Sequence, residues 1–135
     1  MRYPYKDPNT QICYGTDDPD FEGWLSKKST WMKDWRRRYF LLKNSRLFFS
    51  ESPYSPPHGM IDLSNCTGVN IPKPKSTKRA NSFQITTQEI KYLLFADTEG
   101  EKHDWMCLIE RAISTCSRLY LKEQSCVDFG NNCDG

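Results

Sequence analysis

Along most of this chain, short runs of aromatic and aliphatic residues are bounded by turn residues, the pattern of strands. The first runs, Gly23–Lys27 and Trp35–Leu42, flank the polar stretch Ser29–Asp34 and predict a hairpin. Arg46–Ser50 follows across the turn Lys43-Asn44-Ser45, and prolines mark Ser52–Gly59 as a loop. Met60–Leu63 and Gly68–Ile71 are short strand candidates, and Pro72–Arg79 is a basic loop. Ser82–Thr86 and Lys91–Ala96 make a last pair around Gln88-Glu89, bringing the strands to seven. The period then changes. Thr98-Glu99-Gly100-Glu101 fits a capping box, and Trp105, Leu108, Ile109, Ala112, Cys116 and Leu119 recur at steps of three and four, the stripe of a helix packed on one side. That pattern ends near Leu121 and leaves 122–135 as a polar tail. Residues 1–21, rich in Pro, Tyr and Asp, form an extension that is either flexible or draped on the core through Tyr3, Tyr5, Ile12 and Tyr14.

Composition narrows the class without changing this picture. At 135 residues, 37% hydrophobic and 27% charged, the chain reads as one soluble globular domain with a core of ordinary size. No apolar run reaches the roughly 18–20 residues that span a bilayer. The first residues have no apolar core and do not read as a signal peptide; Arg2 argues against myristoylation and Asn132 against prenylation. Six cysteines, at 13, 66, 107, 116, 126 and 133, include no Cys-x-x-Cys pair, so neither a zinc site nor another metal is expected. An even count is compatible with disulfides, but without a signal peptide a reducing, cytoplasmic setting is expected. Cys107 and Cys116 fall in the helical pattern and read as small core or flanking residues. His58 and His103 have no nucleophile at a readable spacing, and no Gly-rich phosphate loop is present. An enzyme is therefore not expected, nor a cofactor. The aromatics read as core, not as a stacking platform for nucleic acid.

Charge does change the picture. From Glu22 to Arg46 there are eight Lys and Arg against Glu22 and Asp34, while the whole chain carries only +2. Strand side chains alternate, so Arg36 and Arg38 share one face and Arg37 takes the other. In a hairpin, Lys27 and Lys33 converge with Arg36 and Arg38 beside the loop. Two guanidinium forks and two ammonium groups in one hollow suit a multiply charged phosphate ligand. Lys28, Lys73, Lys75, Lys78 and Arg79 form a secondary basic surface. At the hairpin tip, Trp31 and Met32 are apolar among cations, which suits insertion into a lipid interface.

The order and spacing of Glu22-Gly23-Trp24-Leu25, Trp35–Leu42, Asn81–Ile85 and the helix around Trp105 resemble the pleckstrin homology (PH) domain family over residues 22–121. The resemblance implies a mainly β fold with one C-terminal helix. In that fold, two near-orthogonal antiparallel sheets form a seven-strand, partly open barrel, capped by the helix. It also implies a site. Phosphoinositide-binding members use a basic residue ending the first strand and an Arg/Lys-x-Arg pair opening the second, positions held here by Lys27, Arg36 and Arg38. Lys33 stands in the loop and His58 before the fourth strand, where members carry further basic contacts. Phe49 stands where members selective for 3-phosphates often have tyrosine. The function implied is a peripheral, reversible membrane-targeting module for anionic lipid, most directly a phosphoinositide. A sensor of phosphatidic acid or general acidic lipid, and a protein-interaction domain of the same fold, are the alternatives.

Overall fold

The computed structural model describes residues 2–29 and 33–133, with side chains described except at 74, 76 and 117–133. Strands β1 (Tyr5–Lys6) and β2 (Cys13–Tyr14) form a small hairpin, followed by β3 (Phe21–Lys28), β4 (Trp35–Lys43), β5 (Arg46–Ser50) and β6 (Gly59–Asp62). A short 3-10 turn, Leu63–Asn65, leads to β7 (Cys66–Asn70). One helical turn, α1 (Pro74–Thr77), then precedes β8 (Ser82–Thr87), β9 (Lys91–Phe95) and α2 (Glu99–Cys133). The seven strands β3 to β9 hydrogen-bond in the order β6-β5-β4-β3-β9-β8-β7, each pair antiparallel. Among the described residues, β3 and β9 join the two halves of the sheet at Ser26↔Phe95 and Lys27↔Leu94. β6 and β7 end the order without pairing, so the barrel is open along that seam.

Local chemistry explains the joints. Asn44 and Ser45 both take positive φ, 50° and 64°, the two-residue turn whose twist suits a tight hairpin between Lys43 and Arg46. Thr98 Oγ1 accepts the Glu101 N–H at 3.1 Å and starts α2, with Glu99 and Glu101 at its positive end. Trp105 (1% exposed), Ile109 and Ile113 drive the apolar stripe of α2 into a core of Leu25, Phe40, Leu47, Ile61, Phe83, Ile85 and Leu94. The edge of Trp105 meets Phe21 at 4.7 Å, so the helix closes the end of the barrel where β3 begins. Burying each such side chain contributes roughly 1.5–3 kcal/mol.

A second apolar cluster lies on the outer face of β4 and β5. Leu41 and Phe48 point away from the barrel interior, yet both are buried, because Tyr5 covers them with Tyr14, Tyr39 and Met60 around it. Tyr5 stands 5.7 Å from the Phe48 ring and 6.4 Å from Tyr14. Polar contacts hold this N-terminal segment down: Arg2 Nη2 donates to both Glu22 carboxylate oxygens at 2.8 Å, Tyr39 donates to the same carboxylate at 2.5 Å, and Thr16 donates to the Tyr3 carbonyl at 2.7 Å. Burial and the Glu22 carboxylate push the Tyr39 phenol up to about 12. Tyr3 and Ile12, two of the four residues read as contacts of the extension, are 58% and 50% exposed instead.

The structure shifts some boundaries. β3 begins at Phe21, Leu63 belongs to the 3-10 turn, and Ile71 lies outside β7 and is 60% exposed. The basic loop contains one helical turn. The helix runs on to Cys133, past Leu121, where the apolar stripe read from the sequence ends. Cys66 is the buried thiol, pushed up to about 11 by burial and by Asp62, whereas Cys107 is exposed and Cys116 half-buried. The four cysteines with described side chains are unpaired.

Candidate functional site

The register of the β3–β4 hairpin decides which cations meet. Lys27 lies opposite Arg36 and Leu25 opposite Arg38, so these four share a face with the buried Phe40 and Leu42. The inward face of the hairpin is thus apolar where the helix closes the barrel and cationic at the far end. Lys27 is six residues beyond Phe21, about 20 Å along the strand. The cations therefore line the mouth opposite Trp105.

At this mouth the Lys27 side chain is half-buried, its Nζ 5.3 Å from the Phe49 ring centre and 5.6 Å from that of Tyr92. The two rings make a cation–π clamp. Burial lowers the Lys27 pKa, and the Arg38 charge lowers it further. His58 sets its ring edge-on to Phe49 at 5.2 Å. Desolvation lowers its pKa first, then Arg38; Glu51 opposes the shift, and Lys27 adds to it. These mutual effects place Lys27, Arg38 and His58 within one electrostatic neighbourhood in which the cations destabilise one another. A bound anion relieves that repulsion.

The remaining residues sit around this centre. Arg36 opens β4 on the same face and reaches Asp34 at 3.4 Å; both side chains are about half exposed, so that pair contributes little. Arg38 donates through Nη1 to the Arg37 carbonyl at 2.9 Å. Lys33 is exposed at the root of the loop with φ of 57°, its N–H donating to the Ser29 carbonyl at 3.1 Å. Trp31 and Met32, read as insertion residues, lie outside the described residues.

The other strand face carries different chemistry. Arg37 pairs with Asp97 at 2.8 Å and lies 5.0 Å over Trp24. Lys28 and Arg79 flank the Trp35–Phe95 ring pair, at 6.0 Å from Trp35 and 5.7 Å from Phe95. Lys73, Lys75 and Lys78 are exposed around α1. Lys28, one residue from Lys27 and opposite Trp35, takes the opposite face of β3 from Lys27. A cavity of about 760 Å3 opens beside the β6–β7 seam, sharing Tyr92 with the mouth, with Asp7, Asp62 and Glu89 in its lining. Its carboxylates repel a phosphate ligand, so the candidate site remains the cationic mouth.

Tyr92 and the clamp it makes with Phe49 were not singled out in the sequence, although Tyr92 falls on the inward parity of β9 with the buried Leu94. Gly59 was not singled out either. An added Cβ there would stand 2.1 Å from the tip of the Phe49 ring, so the glycine leaves room for the wall of the site.

A family model for the PH domain matches residues 19–114. The chain belongs to the PH domain family. A relative from Arabidopsis thaliana, Pleckstrin homology domain-containing protein 1, is 30% identical over 122 residues, covering 84% of this chain and 83% of that protein. A PH domain-containing protein of Dictyostelium discoideum is 36% identical over 93 residues, covering 68% of this chain. The chain spans only 20% of that protein's length. Among solved structures, the C-terminal PH domain of pleckstrin in complex with an inositol pentakisphosphate matches with a TM-score of 0.60 and 27% identity, over 70% of this chain and 95% of that one. The PH domain is a non-catalytic module.

Proposed function

We propose that this PH domain is a membrane-targeting module that binds anionic lipid head groups, phosphoinositides first among them, through Lys27, Lys33, Arg36, Arg38 and His58. The observation that carries this reading is the half-buried Lys27 ammonium, clamped between Phe49 and Tyr92 with another cation, Arg38, as the charged neighbour that shifts it. A desolvated cation beside cations is poorly matched until an anion arrives. The pleckstrin PH domain bound to an inositol pentakisphosphate lends support by family likeness. Charge-assisted hydrogen bonds contribute about 1.5–3 kcal/mol each, and a basic residue near an anionic surface about 1 kcal/mol. A few of each reach on the order of −8 kcal/mol, micromolar binding. In this reading Trp31 and Met32 enter the lipid interface and the association is peripheral and reversible, in the cytoplasm.

The test is a vesicle sedimentation series holding total negative charge constant while exchanging phosphatidylserine, phosphatidic acid and single phosphoinositides. Preference for a phosphoinositide supports the pocket. The Lys28–Arg79 surface over Trp35 and Phe95 favours a second reading, a sensor of acidic lipid such as phosphatidic acid. Equal binding to all compositions of equal charge supports that one. No binding to any of them, with a protein captured instead, supports the protein-interaction alternative.

A further inference from the structure

The loop between β5 and β6 reads Ser52-Pro53-Tyr54-Ser55-Pro56-Pro57. Its three prolines supply no N–H and cannot join a strand ladder. Both ends of the loop belong to the cationic mouth, since Phe49 precedes it, His58 follows it, and the His58 N–H donates to the Phe49 carbonyl at 3.0 Å. Inside it a turn closes on itself. The Ser55 N–H donates to the Ser52 carbonyl at 3.2 Å, the Ser52 and Ser55 hydroxyls share a hydrogen bond of 2.7 Å, and Tyr54 at the apex is 87% exposed. Ser52 Oγ also accepts the Tyr54 N–H at 3.2 Å.

We propose that Ser55 is a phosphorylation site for a proline-directed protein kinase, and that its phosphate folds onto the Arg38 and His58 side of the mouth and competes with the anionic ligand. Pro53-Tyr54-Ser55-Pro56 puts proline both two before and one after the acceptor, whereas Ser52 is followed by proline but not preceded by one. In the transfer, Ser55 Oγ bonds to the γ-phosphorus of ATP, the bond from that phosphorus to the ADP oxygen breaks, and the hydroxyl proton leaves to the kinase base. The product carries about −1.5 to −2 charges and three acceptor oxygens. Ser55 is three residues from His58, so their Cα atoms are at most about 11 Å apart, within reach of a phosphoseryl arm and an imidazole or guanidinium meeting it. The groups that act electrostatically on His58 are Arg38 from β4, Lys27 from β3 and Glu51 from the loop, with the Phe49 ring packed against it. A dianion added there reverses the balance at His58. The competition rests on the lipid-site reading above; the modification and its effect on His58 do not.

The full chain is incubated with a purified mitogen-activated protein kinase and Mg-ATP, beside Ser55→Ala and Ser52→Ala variants. Phosphate is located by tandem mass spectrometry, and His58 is titrated by NMR. Affinity is then read on phosphatidylcholine vesicles containing phosphatidylinositol 4,5-bisphosphate. The expected result is phosphate at position 55 in the wild type and Ser52→Ala but not in Ser55→Ala. The His58 pKa rises by about one unit in the phosphorylated chain, vesicle affinity falls at least about tenfold, and phosphatase restores both. Absence of phosphate at Ser55, or phosphate there with an unchanged His58 titration, overturns the proposal. If the unmodified chain ignores the vesicles, the lipid reading falls and the His58 titration alone decides this inference.

Discussion

Replacing Lys27 with methionine keeps the length and apolar stem of the side chain between Phe49 and Tyr92 while deleting its charge. The structure makes opposite predictions for stability and for binding. In the unliganded protein the ammonium is desolvated and faces Arg38, and its pKa is lowered, so the folded state disfavours its charged form. Removing that charge is expected to leave stability unchanged or raise Tm by up to a few degrees, the pattern of a site that sacrifices stability for function. Loss of one charge-assisted contact to a phosphate costs about 1.5–3 kcal/mol, roughly ten- to a hundredfold in affinity. The sign with pH follows from the lowered folded-state pKa. Wild-type stability rises as pH climbs from that pKa toward the unfolded value of 10.5, so the Lys27→Met advantage shrinks at alkaline pH. Thermal unfolding across pH, with titration of a soluble inositol phosphate by calorimetry, measures both effects. If Lys27→Met unfolds markedly earlier than the wild type at neutral pH, or binds the inositol phosphate equally well, the argument that an unmatched cation is held ready for an anion is wrong.

Four further outcomes are expected. Arg38→Ala removes most head-group binding at little cost in stability, whereas Arg37→Ala, whose partners Asp97 and Trp24 lie on the opposite face, loses about 1 kcal/mol or less of stability and keeps binding; a vesicle assay showing Arg37 to be the more damaging would reverse the face assignment. Anion binding raises the lowered His58 pKa, so wild-type affinity should gain about threefold to tenfold over His58→Gln between about pH 7.5 and pH 5.5, a ratio in which the ligand's own titration cancels; parallel curves for the two proteins would remove His58 from the site. Gly59→Ala drives a methyl group into the Phe49 ring and should lower stability by about 1–3 kcal/mol while weakening head-group binding, read by denaturant unfolding and calorimetry. Tyr5→Ala uncovers Leu41 and Phe48 and should lose about 3 kcal/mol in denaturant unfolding, with head-group affinity retained; a change below about 0.5 kcal/mol would mean the N-terminal segment adds no stability.

The N-terminal segment shows how a signal in the chain can be present and unread. Phe40-Leu41-Leu42 and Leu47-Phe48-Phe49 are unbroken apolar runs within β4 and β5. Alternation says that one face is solvated; a continuous run says that both are covered. The cover is Tyr5 and Tyr14, more than twenty residues away in sequence, and nothing local to β4 or β5 identifies it. Three tyrosines and an isoleucine near the start of the chain look equally able to dock, yet the turn led by Asp7 puts Tyr5 and Tyr14 side by side in register and leaves Tyr3 and Ile12 outside.

Within the site, strand parity was legible in the residues themselves. A strand's period of two is a property of the backbone, so Arg36 and Arg38 had to part from Arg37 wherever the hairpin folded. The apolar stripe of α2 and its capping threonine were legible for the same reason, since helical spacing is also local. What only the tertiary structure decided is which distant residues share an environment. Lys27, Arg38, Phe49, His58 and Tyr92 come from three central strands, a loop and β9, and their meeting depends on register and on the order in which strands pair. The same holds for desolvation: strand parity names Lys27 as a cation on the inward face, but its burial between two rings depends on β9 pairing with β3 on one side and on β5 being carried to the other side by β4. Periodicity belongs to a few consecutive peptide units, whereas convergence and dielectric environment belong to the packed chain.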